Sequence, residues 1–310
     1  MTGLRMNRRA VLGGAAAAPV LAATGGVAIA QTAALAQASQ TRQFKLGDMV
    51  VTTLLDGQVA RDGVKEIFGG GATEEEFAQL SAENFISATQ AQFYFTPVLV
   101  QTGGQTVLFD TGLGRGGVIA ALTEVGVTPD QIDLVVLTHM HPDHIGGLMG
   151  PDGPAFPNAA YVTAAAEYDF WSQMAPGNRV GDLVAKNVVP LAEKMTFVGD
   201  GAQVAPGITA MASFGHTPGH LTHMLESNGQ ALVLTADLAN HYVWSFARPD
   251  WEVRFDMDKA AAAAARRQVM GMLAADRVPM IGYHMPFPAA GFVEPRGDGF
   301  RFVPVSYQML

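Results

Sequence analysis

Within six positions the chain carries His139, His141, Asp143 and His144, in the run Thr138-His139-Met140-His141-Pro142-Asp143-His144. This run directly follows the apolar stretch Ile132-Asp133-Leu134-Val135-Val136-Leu137. Neutral imidazole suits zinc and other first-row metals, and a carboxylate adds a harder, negative oxygen ligand. Four such groups at the end of a buried strand predict a metal site. Three more candidates stand where an apolar strand gives way to a loop: His216 in Gly215-His216-Thr217-Pro218-Gly219-His220, Asp237 in Leu234-Thr235-Ala236-Asp237, and His284 in Gly282-Tyr283-His284. Seven ligands suffice for two metals. The chain has no cysteine, so every ligand is nitrogen or oxygen and no disulfide framework or thiolate nucleophile exists. A lone buried histidine is more often a hydrogen-bonded core residue. His220, after its Pro-Gly turn, fits the role of securing the loop that bears His216, and His223 and His241 fit the satisfaction of local polar groups.

The elements that must deliver these residues alternate between short apolar strands and helices. Residues 50–55, 97–101, 106–109, 160–163, 208–213, 231–235 and 278–283 read as strands. The second and third join at Gly103-Gly104 and end in Asp110-Thr111-Gly112. Helices are expected around Tyr168, Phe170 and Trp171, and from Asp258 as cap through the alanine run to Met272. Thr73-Glu74-Glu75-Glu76 followed by Phe77 and Leu80 has the form of a capping box. Residues 57–96 are otherwise irregular and are expected to cover a pocket. No fixed-period repeat or low-complexity linker interrupts residues 37–310, which read as a single compact α/β domain.

Composition permits one large core: the 310 residues are 49% hydrophobic and 15% charged. Residues 1–36 read as an export signal, because Arg5, Arg8 and Arg9 precede an Ala/Val/Gly/Leu-rich run ending near Ala34-Leu35-Ala36, with Ala28-Ile29-Ala30 as a second cleavage point. Arg8-Arg9-Ala10-Val11-Leu12 resembles a twin-arginine signal, so a periplasmic or secreted location is expected. Gly25-Gly26 interrupts the apolar run, and no stable membrane span is expected after processing. Loss of those three arginines, with no carboxylate, takes the formal charge from −9 to −12. Such acidity argues against a nucleic-acid partner.

The ordered set His-x-His-x-Asp-His, His, Asp, His resembles the metallo-β-lactamase-fold hydrolases, as do the Asp110-Thr111-Gly112 turn and the Gly-His-Thr-Pro-Gly-His segment. The resemblance implies an αββα four-layer sandwich. It further implies that His139, His141 and His216 hold one metal, that Asp143, His144 and His284 hold the other, and that Asp237 bridges them. Ala155-Phe156-Pro157-Asn158-Ala159, Asp169-Phe170-Trp171 and Gly299-Phe300-Arg301-Phe302-Val303-Pro304-Val305 narrow it toward methyl parathion hydrolase and its lactonase and arylesterase relatives, over residues 44–307. The segment Leu238-Ala239-Asn240-His241-Tyr242-Val243-Trp244 departs from the aliphatic stretch of methyl parathion hydrolase, which shifts the expectation away from phosphotriesters. A homodimer is implied by the same relatives.

Two divalent cations, zinc first and manganese, cobalt or iron as alternatives, can share a water and lower its pKa toward neutrality. The resulting bridging hydroxide can attack a bound carbonyl or phosphoryl group. Asp143 and Asp237 are the catalytic carboxylates on this reading, and Asp237 suits the bridging position because a carboxylate has two oxygens, which an imidazole cannot imitate. Asp110 and His220 are expected to orient the ligands. Phe68, Phe93, Trp171, Tyr242 and Phe287 are expected to line an apolar pocket, and the Tyr242 and Tyr283 hydroxyls to reach a developing oxyanion. The expected function is hydrolysis of a small neutral ester or lactone, with phosphotriester hydrolysis as a related activity. Three alternatives remain: a dedicated methyl parathion-type hydrolase, a thioester hydrolase of the glyoxalase II type, and an iron-dependent oxygenase or redox protein. The second has a very similar ligand set, but the sequence shows no obvious basic patch for an anionic glutathione tail. The complete ligand set with its bridging aspartate disfavours the third.

Overall fold

The structure, a computed structural model, describes residues 39–305. Residues 1–36, expected to be an export signal with a twin-arginine motif, lie outside the described residues. No helix among those described is long and apolar enough to cross a membrane.

Strand alternation builds the interior. Successive side chains of a strand point to opposite faces. Val98, Val100, Val107, Phe109, Leu134 and Val136 join one buried cluster with residues of a second sheet, such as Ile208 and Leu225. The intervening Leu99, Leu108 and Val135 join another, with Val118 and Leu122 of the helix Gly117–Glu124, Trp171 of Ala165–Ser172 and Val184 of Arg179–Asn187. The same strands therefore face a sheet on one side and helices on the other. The helix Lys259–Asp276 covers the second sheet through Val269, Met270 and Leu273. The result is the αββα sandwich that the family resemblance implied. Each fully buried Val or Leu contributes about 1.5–3 kcal/mol to that arrangement.

The first sheet runs Thr41–Leu46, Met49–Leu54, Val98–Thr102, Gln105–Phe109, Leu134–Val136, Ala160–Ala164, Met195–Val198 from edge to edge. Its first four strands pair antiparallel and the others parallel. Gly103 and Gly104, at φ 55° and 79°, make the tight turn of its central hairpin, a conformation open to glycine at little cost. The second sheet runs Gln203–Ala205, Ile208–Ala212, Leu221–Ser227, Gln230–Ala236, Met280–Gly282, Ala290–Arg296, Gly299–Pro304. Only Gln230–Ala236 and Met280–Gly282 pair parallel there. Parallel neighbours leave a sheet at the same end. Asp110 and the His139 run thus emerge together from the first sheet, and Asp237 and His284 from the second. The Leu221 amide donates to the Thr138 carbonyl at 3.0 Å, joining the sheets beside these loops.

Residues 57–96 are more regular than the sequence suggests. A hairpin, Gly57–Asp62 with Gln90–Phe95, forms a separate two-stranded sheet. Between its strands lie the helices Val64–Phe68 and Glu74–Glu83. Thr73 caps the latter, with both capping-box bonds present. Phe68, Phe77, Phe93 and Phe95 of this segment form an apolar cluster with Trp244 from a later helix. Asp258 caps Lys259–Asp276 by accepting from the Ala261 amide at 3.0 Å.

Candidate metal centre

The seven expected ligands converge in two adjoining groups, His139, His141, His216 with Asp237, and Asp143, His144 with His284. The candidate ligand atoms of each group lie within 4.8 Å of one another. His141 Nδ1 is 3.1 Å from His139 Nε2 and 2.9 Å from His216 Nε2. Asp237 stands between the groups: Oδ2 is 3.3 Å from His216 Nε2 and 3.0 Å from His284 Nε2, while Oδ1 is 3.1 Å from His144 Nε2. Asp143 Oδ2 lies 3.5 Å from His284 Nε2 and 3.6 Å from His144 Nε2.

The outward ring nitrogens decide what the inward ones carry. His216 Nδ1 donates to Asp256 Oδ1 at 2.9 Å, His144 Nδ1 to Asp110 Oδ2 at 2.8 Å, and His284 Nδ1 to the Tyr94 carbonyl at 2.8 Å. His139 Nδ1 meets the Thr138 hydroxyl at 3.1 Å, and that hydroxyl already donates to Asp110. In its neutral form each of these imidazoles therefore turns a lone pair inward. Lone pairs facing each other at 3 Å repel unless a cation sits among them. His144 Nε2 and Asp237 Oδ1 are buried 3.1 Å apart, and neither makes a well-formed hydrogen bond, a costly state in a protein interior. Donor chemistry, orientation and unmet polar atoms all fit two metal ions.

Charge balance points the same way. Burial, reinforced by neighbouring imidazoles, pulls His139 and His141 well below the usual histidine range. Burial also lowers His216, but hydrogen bonds to Asp237 and Asp256 outweigh it and bring this residue up to about 9. His144 is raised well above its ordinary value against burial, by Asp237, Asp110 and Asp143. Despite its own burial, Asp237 is held well below the carboxylate range by His284 and His144. A metal would displace the protons that His144 and His216 otherwise attract.

Asp110 and His220 take the orienting positions expected of them. Asp110, at a φ of 60° that aspartate tolerates better than most residues, accepts from the Thr138 amide and hydroxyl as well as from His144. His220 accepts from the Asp237 amide at 3.1 Å through Nε2, and its other nitrogen meets Ser213. Tyr283 is corrected: its hydroxyl donates to the Asp143 carbonyl, so it holds the backbone of a ligand loop.

A cavity of about 330 Å³ opens onto His141, Asp143, Asp237 and His284. Two larger cavities, about 580 and 590 Å³, lie elsewhere and touch none of the seven. Of the five aromatics expected at the pocket, Phe93 lines it and four are corrected. Phe68 is buried in a stack with Phe93 and Trp244. Trp171 sits behind His141 with its indole N–H on Glu167. Tyr242 borders the 590 Å³ cavity, and Phe287 borders none of these three. Phe95, Leu113 and Phe255 complete the apolar wall instead. Sequence proximity to a ligand cannot tell a wall from a core when loops fold back.

Two carboxylates escaped the sequence reading. Asp256 accepts from His216 and from Arg266 Nη1 at 2.7 Å, both fully buried. Its cue was Arg266, a charge on the buried helical stripe Ala262, Arg266, Val269, Met270, Leu273. Glu167, fully buried, accepts from the Met140 and Gly219 amides and the Trp171 indole, each at 2.8 Å. It ties the His139 loop to the His216 loop. A Cβ on Gly219 would come within 2.3 Å of the Glu167 nitrogen, which accounts for glycine in that turn.

Comparison with known proteins places this geometry. Residues 96–280 match the family profile described as the metallo-beta-lactamase superfamily. An N-acyl homoserine lactonase of Bacillus cereus is 25% identical over 186 residues, 55% of this chain and 70% of that protein. Among solved structures, AidC, a dizinc quorum-quenching lactonase in complex with its product, superposes with a TM-score of 0.81 at 26% identity, over 87% of this chain and 99% of that one. The hydrolase AbOPH shares the fold, with a TM-score of 0.78 at 23% identity over 88% of this chain and 99% of its own.

Proposed function

Starting from a chain that belongs to the metallo-beta-lactamase superfamily, we propose that it hydrolyses an ester or lactone with two divalent metal ions, zinc foremost. The observation that carries this reading is the set of four imidazoles whose outward nitrogens are tethered and whose inward lone pairs converge on both oxygens of Asp237. His139, His141 and His216 would hold one ion, Asp143, His144 and His284 the other, and Asp237 would serve both. When bound, such a pair supplies an acidified water and polarises the oxygen of the substrate's reacting group.

The chain's own residues supply the rest. Asp237, buried among imidazoles, stays ionised with each oxygen turned to a different group. Asp256, Asp110 and the Tyr94 carbonyl fix the rings so that no reorganisation is needed as charge develops. Phe93, Phe95, Leu113 and Phe255 keep water from the cavity walls and suit an apolar acyl or ring portion. The lactonase relatives support a carbonyl substrate over a phosphotriester.

Metal analysis and a substrate panel test this. Two divalent ions per chain are expected, with kcat/KM highest on an ester or lactone among aryl esters, lactones, a phosphotriester, a thioester and a β-lactam, and with activity lost to a chelator and restored by zinc. One iron per chain without ester hydrolysis, or a phosphotriester preferred by orders of magnitude, would overturn the assignment.

A further inference from the structure

Beyond its metal groups and apolar wall, the same cavity is lined by Arg61 and Arg179. Hairpin register places the first. Gly57 opposes Phe95, Val59 opposes Phe93 and Arg61 opposes Ala91. Opposed residues of an antiparallel pair share a face, so Arg61 stands on the face of the two wall phenylalanines, at its outer end. Asp62, the adjacent acid, points to the other face, where it accepts from Gln90 Nε2 at 3.0 Å.

Arg179 comes from a different element. It is the first residue of the helix Arg179–Asn187, capped by Asn178, and its neighbour Val180 lines the cavity. The positive end of a helix dipole disfavours a cation there, so helix stability does not account for an arginine at this position. A third, Arg254, has its Cζ 5.4 Å from the ring centre of Phe255 in the wall. Arg61 and Arg179 are exposed and have no carboxylate partner among the described residues. The only carboxylates lining the cavity are Asp143 and Asp237, both in the metal groups. On a chain with a net charge of −9, two elements thus bring unpaired cations to the rim of one pocket, and Arg254 stands beside a phenylalanine of its wall.

Resting on the hydrolase reading above, we infer that the preferred substrate carries an anionic group, such as a carboxylate, separated by an apolar segment from the carbonyl that is cleaved. The metal groups would hold the reacting end, the phenylalanines the middle, and Arg61 with Arg179 the charge. Arginine stays protonated at all working pH values and pairs with a carboxylate through two parallel N–H donors. On this inference the substrate is an amphipathic anion, where the sequence led to the expectation of a small neutral ester. The basic patch that the sequence did not reveal is assembled from segments far apart in the chain.

The test compares two aryl esters of matched length, one ending in a carboxylate and one in a methyl group, on zinc-loaded protein. The anionic ester is expected to have a kcat/KM about tenfold higher, mostly through KM, with the advantage shrinking as salt is added. The ratio should fall toward one in Arg61→Ala plus Arg179→Ala and be retained in the double lysine variant. Calorimetric binding of the corresponding amides, which carry no scissile ester, reads the same preference without turnover. Ester hydrolysis with no preference for the anion, or a preference that survives the double alanine variant, overturns the inference and leaves the hydrolase reading standing. Arginine-dependent binding of the anionic amide with neither ester cleaved supports the anion site and removes the ester-hydrolase reading.

Discussion

Replacing Glu167 by glutamine is the most informative single perturbation of the metal-bearing loops. The carboxylate receives the Met140 amide and Trp171 indole on Oε1 and the Gly219 amide on Oε2. A carboxamide has one accepting oxygen, so its NH2 must confront at least one of those donors. Leaving a buried N–H unpaired costs about 1–3 kcal/mol, and the two surviving bonds lose their charge assistance at roughly 1 kcal/mol each. Relief of carboxylate desolvation offsets part of this, since burial pushes the Glu167 carboxyl above the usual glutamate range. The net expectation is a loss of about 2–4 kcal/mol, large against a typical domain stability of about 5–15 kcal/mol. Urea unfolding of the zinc-loaded variant reads it as a lower midpoint at unchanged slope. Because Met140 lies between two ligands and Gly219 follows a third, zinc affinity should also fall about 10–100-fold in a competitive chelator titration. A midpoint shift under about 0.5 kcal/mol with unchanged zinc affinity would refute the reasoning, and would mean that Glu167 is protonated in the native protein.

Asp237→Ala should abolish zinc-dependent turnover, with kcat down by about 10³-fold or more, because no imidazole can face both groups; near-normal kcat would show the site misassigned. Tyr283→Phe should retain turnover and lose about 1 kcal/mol of stability in a thermal melt, since its hydroxyl serves the Asp143 carbonyl; a large fall in kcat alone would return it to the chemistry. His223 is buried with neither ring nitrogen hydrogen-bonded, and burial lowers it to about 3. The unfolded chain therefore takes up a proton near pH 6.5 that the native state refuses, so this residue's contribution is intact above pH 6.5 and is lost as pH falls toward 3. His223→Leu should remove up to about 1.4 kcal/mol per pH unit from that acid slope, read from urea midpoints across pH; an unchanged slope would show that the proton is taken up elsewhere. Gly219→Ala should mimic the Glu167 defect by driving a methyl into the Glu167 backbone, and a variant as stable as wild type would remove the close-approach argument.

The ligand set could be read from the sequence because metal chemistry restricts residue type and strand ends restrict position, and the fold followed from the family resemblance of that set. His139 to His144, His216, Asp237 and His284 were legible as imidazoles and carboxylates at the ends of apolar runs, and the capping box at Thr73 and the cap at Asp258 were legible because their bonds are local. Tertiary structure alone decided which groups support those ligands and what lines the pocket. Asp256 reaches His216 across forty positions and Glu167 reaches Gly219 across fifty-two. Arg61, Phe93, Arg179 and Phe255 meet around one cavity from separate elements. The physical reason is range: a ligand motif, a cap or a strand pattern is written in neighbouring residues, whereas the wall of a pocket and its charge are properties of chain segments that only packing brings together.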